Sequence, residues 1–255
     1  MIYQQYPPVK ALAHLVKFFY YFRSDDLLPE RILPFGTTEI SVYLDNPAAG
    51  IFVNNPATRS YFVYPKALSG LVGVCLQPWA FHMLFHIPQS EITDQKVLLR
   101  DLLKGHNAQL TAKLNDKTHP LDMIHAVQDY LLAIAAPLCS GLVMDAVNRI
   151  DRENGALETG ALARHYNLSE RRLQQLFHSA IGLSPKKYSQ LKRFHYSVSR
   201  LYPGTQLTEL ALNAGYYDQS HFIHEFKDFA GISPGGFLKE QKALSDINTK
   251  AYFDR

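Results

Sequence analysis

The 255-residue sequence predicts an α+β protein: a β-rich first half with trailing helices, then an all-α second half of two similar units on one long helix. Three observations predict this. The first half carries short apolar and aromatic runs cut by Pro, Gly and Asn, as successive strands do. From Leu142 onward the apolar residues recur at three and four, the helical period. One stretch of the second half also occurs twice. YNLSERRLQQLFHSAIGLSPKKY, at Tyr166–Tyr188, returns in stronger form as GYYDQSHFIHEFKDFAGISPGGF, at Gly215–Phe237.

In the first half, EISVYL (Glu39–Leu44) precedes the turn cluster DNPAAG, and IFVNN precedes a second turn at Asn55-Pro56. RSYFVYP (Arg59–Pro65) and LSGLVGVCLQP (Leu68–Pro78) follow. Their length, β-branched and aromatic content and turn bounds read as strands of a small barrel or sandwich. After Pro78, WAFHMLFHI (Trp79–Ile87) reads as a helix, and DLLKGHNAQLTAKL as a short helix or helix-loop. In DMIHAVQDYLLAIA (Asp122–Ala135), Ile124, Val127, Tyr130, Leu131 and Ile134 form a helical stripe. The stripe can pack on its own barrel or against a second subunit. The breakers Pro137 and Gly141 place a boundary at Ala136–Gly141, which gives domains at 1–136 and 142–241 and a tail at 242–255.

In the second half, Leu142–Arg152 reads as a helix stopped by Asn154-Gly155. Leu157–His165 is next. Ser169 is an N-cap ahead of Leu173, Leu176 and Phe177, and Gly182 is the stop. Pro185 opens a helix that should run to about Tyr202, roughly 18 residues or about 27 Å long. Thr208–Ala214 and Asp218–Ala230 form the second pair, and Pro234 begins a last helix.

Composition bounds the function. No run of 18 apolar residues is present, so no membrane span or membrane partner is expected. The start MIYQQYPPVK lacks the pattern of a secretory signal. The two cysteines, Cys75 and Cys139, fit a reducing, cytoplasmic setting. The net charge is +3, and all of it lies in residues 145–255, where 15 basic side chains face 12 acidic ones. Within 164–200 stand Arg164, Arg171, Arg172, Lys186, Lys187, Lys192, Arg193 and Arg200 against the single acid Glu170, a local +7. Such a run serves equally as a solvated helix face or as an electrostatic footprint for phosphate.

The repeat decides between these. Leu173, Phe177, Gly182, Ser184 and Pro185 recur as Phe222, Phe226, Gly231, Ser233 and Pro234, at a constant offset of 49. Leu162-Ala163 recurs as Leu210-Ala211 at an offset of 48, so the second turn holds one extra residue. The small Ala163 and Ala211 let two helices cross closely, and the repeated large residues fill the space between them. This is helix-turn-helix logic, with the second helix of each unit free to expose its other face. In the first unit that face presents Arg171, Gln174, Gln175 and His178; in the second, Gln219, Ser220, Ile223, His224 and Lys227. Arg forks onto guanine, Gln onto adenine, Ser is tolerant, and an apolar group meets the thymine methyl. Arg171, Gln174, Gln175, Gln219, Ser220 and His224 are therefore the base-contact candidates. Arg172, Lys186, Lys187 and Lys227 are the phosphate candidates.

At these residues the region Leu142–Gln241 resembles the DNA-binding domain of the AraC/XylS family of transcription regulators. The most specific segment is LTELALNAGYYDQSHFIHEFKDFAGISPGGF, with its Leu-Ala, Gly-aromatic, Asp-x-Ser, Phe, Phe-Lys, Gly and Ser-Pro pattern. The resemblance implies two units bridged by one long helix, with recognition helices in successive major-groove segments of double-stranded DNA. Three departures stand out: His221 where Tyr is frequent, His224 where Arg is frequent, and Gln175 where a basic residue is common. The second unit is thus expected to add less affinity or to read a different base, and Ser169–His178 to dominate recognition. The first half resembles, through ERILPFGTTEISVYL, the NPATR turn and LVGVCLQPWAFHMLFHIP with EITDQKVLLRDLL, a domain that precedes this module in some bacterial regulators. That implies a cupin-like sensor or oligomerisation domain. The expected partners are operator DNA and, as candidates, a small-molecule effector, RNA polymerase and a second copy of the chain, with regulation tilted toward activation.

Other chemistry is less well supported. His82 and His86 are four apart, without a third ligand at metal spacing. Neither a phosphate loop nor a G-x-S-x-G motif is present. Cys75 and Cys139 lack the dedicated reactive-cysteine motif of a repair methyltransferase carrying a similar module. Arg31, Glu39 and Arg59 are candidates for a polar effector, and a structural role competes for each. Neither an enzymatic role nor a cofactor is expected. The competing reading is a small-molecule-binding or enzymatic barrel whose helical tail mediates association.

Overall fold

The computed structural model describes residues 2–23, 29–44, 50–54, 57–63, 70–135 and 141–241. The proposed boundary at Ala136–Gly141 (except Gly141), Cys139, the tail 242–255, most of the DNPAAG turn and the Asn55-Pro56 turn lie outside these residues. So do Tyr64, Pro65 and Leu68, the ends of two predicted strands.

The α+β class is borne out. The first half forms strands β1 (Ile2–Tyr6), β2 (Val16–Arg23), β3 (Glu30–Ile32), β4 (Glu39–Tyr43), β5 (Ile51–Asn54), β6 (Tyr61–Val63), β7 (Gly70–Leu76) and β8 (Lys96–Leu98). Six of them make an antiparallel sheet in the order β1-β2-β7-β4-β5-β8, and β3 pairs with β6 as a separate ribbon. Because strand side chains alternate, register sorts the residues into faces. Phe19, Val74, Ile40, Val53 and Val97 line up across five strands, beside Val72, Val42 and Ile51. All of these but the half-buried Val97 are buried, and this is the core face. The opposite face carries Tyr20, Ser41 and Phe52 in one row and Cys75, Glu39 and Asn54 in the next.

Helices α1 (Ala80–Phe85), α2 (Leu99–Leu102), α3 (Lys104–Leu114) and α4 (Pro120–Ile134) complete this half. The α4 helix begins two residues earlier than its stripe suggests. Pro120 takes the first turn, and the His119 ring caps it by accepting from the Leu121 N–H at 3.3 Å. Its stripe packs on β2 and β7 of its own sheet. The stretch read as one helix or helix-loop divides at Leu103, whose φ of −144° and ψ of 72° are not helical. The sequence predicts β4 to β7 and not β1, β2, β3 or β8. VKFFYYFR is aromatic on both faces, so it shows no alternation, and IYQQY runs straight into Pro7-Pro8.

The second half is helical throughout: α5 (Leu142–Arg152), α6 (Thr159–His165), α7 (Glu170–Ile181), α8 (Pro185–Val198), α9 (Leu207–Asn213), α10 (Gln219–Ala230) and α11 (Pro234–Gln241). The bridge α8 is 14 residues long, about 21 Å at ~1.5 Å per residue, four residues short of the expected end. Thr205 explains this: its hydroxyl accepts from the Tyr202 N–H at 3.0 Å and lies 3.2 Å from the Arg200 carbonyl. That arrangement turns the chain, so Leu201 dips into the core instead of continuing the helix. Among the described residues no helix is long and apolar enough to cross a membrane.

His195, on α8, is half-buried and its Nε2–H donates to the Pro34 carbonyl at 2.7 Å. Burial, helped by the Lys192 charge, pulls its pKa down to about 3. The folded protein thus holds this ring neutral while the unfolded chain protonates it near pH 6.5. Stability contributed by the neutral ring is full above pH 6.5 and falls as pH drops through the window from about 6.5 toward about 3. Denaturation at pH 7.5 and pH 5 should show a larger loss for the parent protein than for His195→Gln. Equal losses would contradict this assignment.

Candidate nucleic-acid interface

The two units share one construction, with a single extra residue in the second turn. In the first turn the Leu168 N–H donates to the Ala163 carbonyl at 3.0 Å; in the second, Tyr216 donates to Ala211 at 2.9 Å. The residue before each donor is left-handed, Asn167 at φ 53° and Gly215 at φ 80°. Ser169 caps α7 by accepting from the Arg172 N–H at 3.2 Å, and Asp218 caps α10 by accepting from His221 at 2.7 Å. Gly182 and Gly231 end the two helices in the left-handed conformation. Leu162, Ala163, Leu173 and Phe177 are buried in the first unit, and Leu210, Ala211, Phe222 and Phe226 in the second.

The turns match at offset 48 and the caps at 49, so the extra residue is Tyr217. It stands 87 % exposed immediately before the cap of α10. The sequence reading did not single it out, although the change in offset marks its place.

The α7 face is open: Arg171, Arg172, Gln174, Gln175 and His178 are all exposed. The α10 face is more engaged. Ser220, His224 and Lys227 are exposed, while Ile223 and Gln219 are half-buried. The Gln219 side-chain carbonyl accepts from the Thr208 hydroxyl at 2.6 Å, and His224 Nδ1 lies 3.5 Å from Asp228.

Folding divides the basic run. Lys192 pairs with Asp151 at 3.1 Å. Arg193 pairs with Glu225 at 3.2 Å, and that carboxylate is also bound by the Gln190 amide at 2.8 Å. Lys187 places its ammonium 4.0 Å from the centre of the Phe229 ring, and burial lowers its pKa. Of the eight basic residues at 164–200, these three are half-buried against local partners, and five stay exposed: Arg164, Arg171, Arg172, Lys186 and Arg200, the last lying 3.9 Å over the Tyr196 ring. The exposed charge concentrates on α7 and the start of α8.

The other candidates are scattered. Arg31 is bound to Glu240 and to the Ala230 carbonyl. Glu39 accepts from the Tyr20 hydroxyl at 3.0 Å, and Arg59 is exposed. His82 Nδ1 lies 2.9 Å from the Ile87 carbonyl, and His86 is the left-handed end of α1. Among the described residues no three His, Cys, Asp or Glu converge as a metal site. Cys75 is a buried free thiol, pushed up to about 12 by burial.

Residues 162–240 match the family model described as a helix-turn-helix domain, and residues 4–98 match a domain of unknown function (DUF6597). The chain is 31 % identical over 88 residues to the Msm operon regulatory protein of Streptococcus mutans, and spans about a third (31 %) of that protein's length. Among solved structures, it is similar to the C-terminal domain of the response regulator yesN of Fusobacterium nucleatum. That match has 22 % identity and a TM-score of 0.36, over 38 % of this chain and 99 % of the other. It is also similar to ToxT of Vibrio cholerae, with 11 % identity and a TM-score of 0.46 over 94 % and 98 % of the two chains.

Proposed function

We propose that this chain is a sequence-specific regulator of transcription, of the AraC/XylS type, that binds double-stranded DNA through α7 and α10. The supporting observation is the duplicated unit: two helices with the same turn, cap and stop, joined by α8. The N-terminal residues of such a helix are those that reach base edges in the major groove. In this reading Arg171, Gln174 and Gln175 contact bases from the first unit, and Gln219, Ser220 and His224 from the second. Arg172, Lys186 and Lys227 take phosphates, with Tyr217 as an added backbone contact. Lys187 reaches phosphate only by leaving Phe229. The β-rich half is the sensor or oligomerisation domain, and its polar, aromatic sheet face around Glu39 and Tyr20 suits a small-molecule effector. Activation, contact with RNA polymerase, dimerisation and a cytoplasmic location complete the proposal, as the family resemblance implies.

Salt dependence of binding tests it. Each neutralised phosphate contributes about −0.9 to the slope of log K against log salt. Three to five contacts from the exposed cations give a slope between roughly −3 and −5. A slope near zero, or no complex at ~50 mM salt, sinks DNA binding. A slope near −7 would mean that Lys187, Lys192 and Arg193 leave their partners to meet the DNA.

A further inference from the structure

The β-rich half contacts the ends of α7 and α10 at the two stop glycines, Gly182, which is buried, and Gly231, which is exposed. At the end of α7, Gln89 is 0 % exposed and its amide donates to the Ala180 and Pro78 carbonyls, both at 2.6 Å. Its carbonyl oxygen accepts from the Thr38 hydroxyl at 2.7 Å. The Thr93 hydroxyl lies 2.9 Å from the Gln89 carbonyl and 3.1 Å from the Gly182 carbonyl. At the end of α10, Arg31 Nη1 and the Ser60 hydroxyl both donate to the Ala230 carbonyl at 2.8 Å, and the Ser60 N–H donates to Phe229 at 2.7 Å. Arg31 also holds Glu240 of α11 at 3.1 Å. A methyl group on Gly182 would sit 2.3 Å from Thr93 Oγ1, and one on Gly231 would sit 3.2 Å from both Arg31 Nη1 and Ser60 Oγ. Between these two grips, His195 of the bridge meets the Pro34 carbonyl.

We infer that the β-rich half is a caliper: Gln89 with Thr93, and Arg31 with Ser60, are positioning residues that fix the separation of the two reading helices. Helix ends leave carbonyls without partners inside the helix. Here the partners come from another domain, and they come at equivalent ends of both units. The opposite ends of α7 and α10 stay free for bases. The N-terminal half thus sets reader spacing without touching DNA, and any ligand that shifts β3, β6 or the Gln89–Glu91 turn alters that spacing. This inference rests on the DNA-binding reading.

Two measurements on the full-length protein test it. The first needs no DNA. Spin labels at Arg164→Cys and Leu212→Cys, equivalent exposed positions 48 apart, report the distance between units in a Cys139→Ser background, with Cys75 buried. The distribution should be narrow in the parent and wider in Arg31→Ala and in Gln89→Ala. Thr93→Val removes one hydroxyl at nearly constant volume and serves if Gln89→Ala does not fold. Equal widths in the folded variants overturn the caliper. The second measures affinity for sites selected from random DNA, with one base pair inserted between the two subsites. The parent should lose about tenfold, the scale of one polar contact, and the variants clearly less. An unchanged spacing profile overturns the caliper while leaving DNA binding intact. Failure to select any site overturns the DNA-binding reading and the caliper with it.

Discussion

Replacing Glu225 with alanine is expected to destabilise the protein by about 3–5 kcal/mol, the usual cost of removing one partner of a buried charge pair. Glu225 is 4 % exposed and lies on the inner face of α10. Its carboxylate takes the Arg193 guanidinium and the Gln190 amide from α8. Arg193 also lies over the Tyr216 ring at 5.1 Å, which joins the second turn to the same cluster. Without the carboxylate, a guanidinium remains in a site largely closed to water. A surface pair would cost no more than about 1 kcal/mol, so a denaturant midpoint separates the two cases. A loss below that value would show that water reaches Arg193. The same variant should weaken the second reader most, since this cluster fixes α10 to the bridge.

Arg171→Ala is expected to leave folding unchanged and to remove about 1–3 kcal/mol of discrimination at one base pair. Arg171 is exposed in the first turn of α7, two residues past the cap Ser169. A side chain there has no packing role to lose, so any effect belongs to binding. Selection from random DNA by parent and variant gives the answer. Relaxed preference at a single position supports a forked contact to guanine. Equal weakening on every sequence would make Arg171 a phosphate contact.

The fold of the second half was legible because its determinants are local. Caps, stops and apolar spacing at Ser169, Gly182, Asp218 and Gly231 all lie within one helix, and repetition checked each against its counterpart. The charge footprint was only partly legible. The pairing of Arg193 with Glu225 spans 32 residues, and that of Lys192 with Asp151 spans 41, so a linear count took paired cations for available ones. The end of the bridge depended on Thr205, a side chain beyond the expected helix. In the first half, β2 hid because both of its faces are aromatic. The grip of Gln89 and Arg31 on the ends of α7 and α10 joins residues 91 and 199 positions apart, and no local pattern announces it.

Hydroxyl-radical footprinting of the full-length protein on a selected site tests the central claim most directly. Two readers on one bridge should protect two segments on one face of the duplex, about 10–10.5 base pairs apart, and Arg171→Ala should weaken the segment under the first unit. A single protected segment, or uniform protection without periodicity, would contradict the two-reader account.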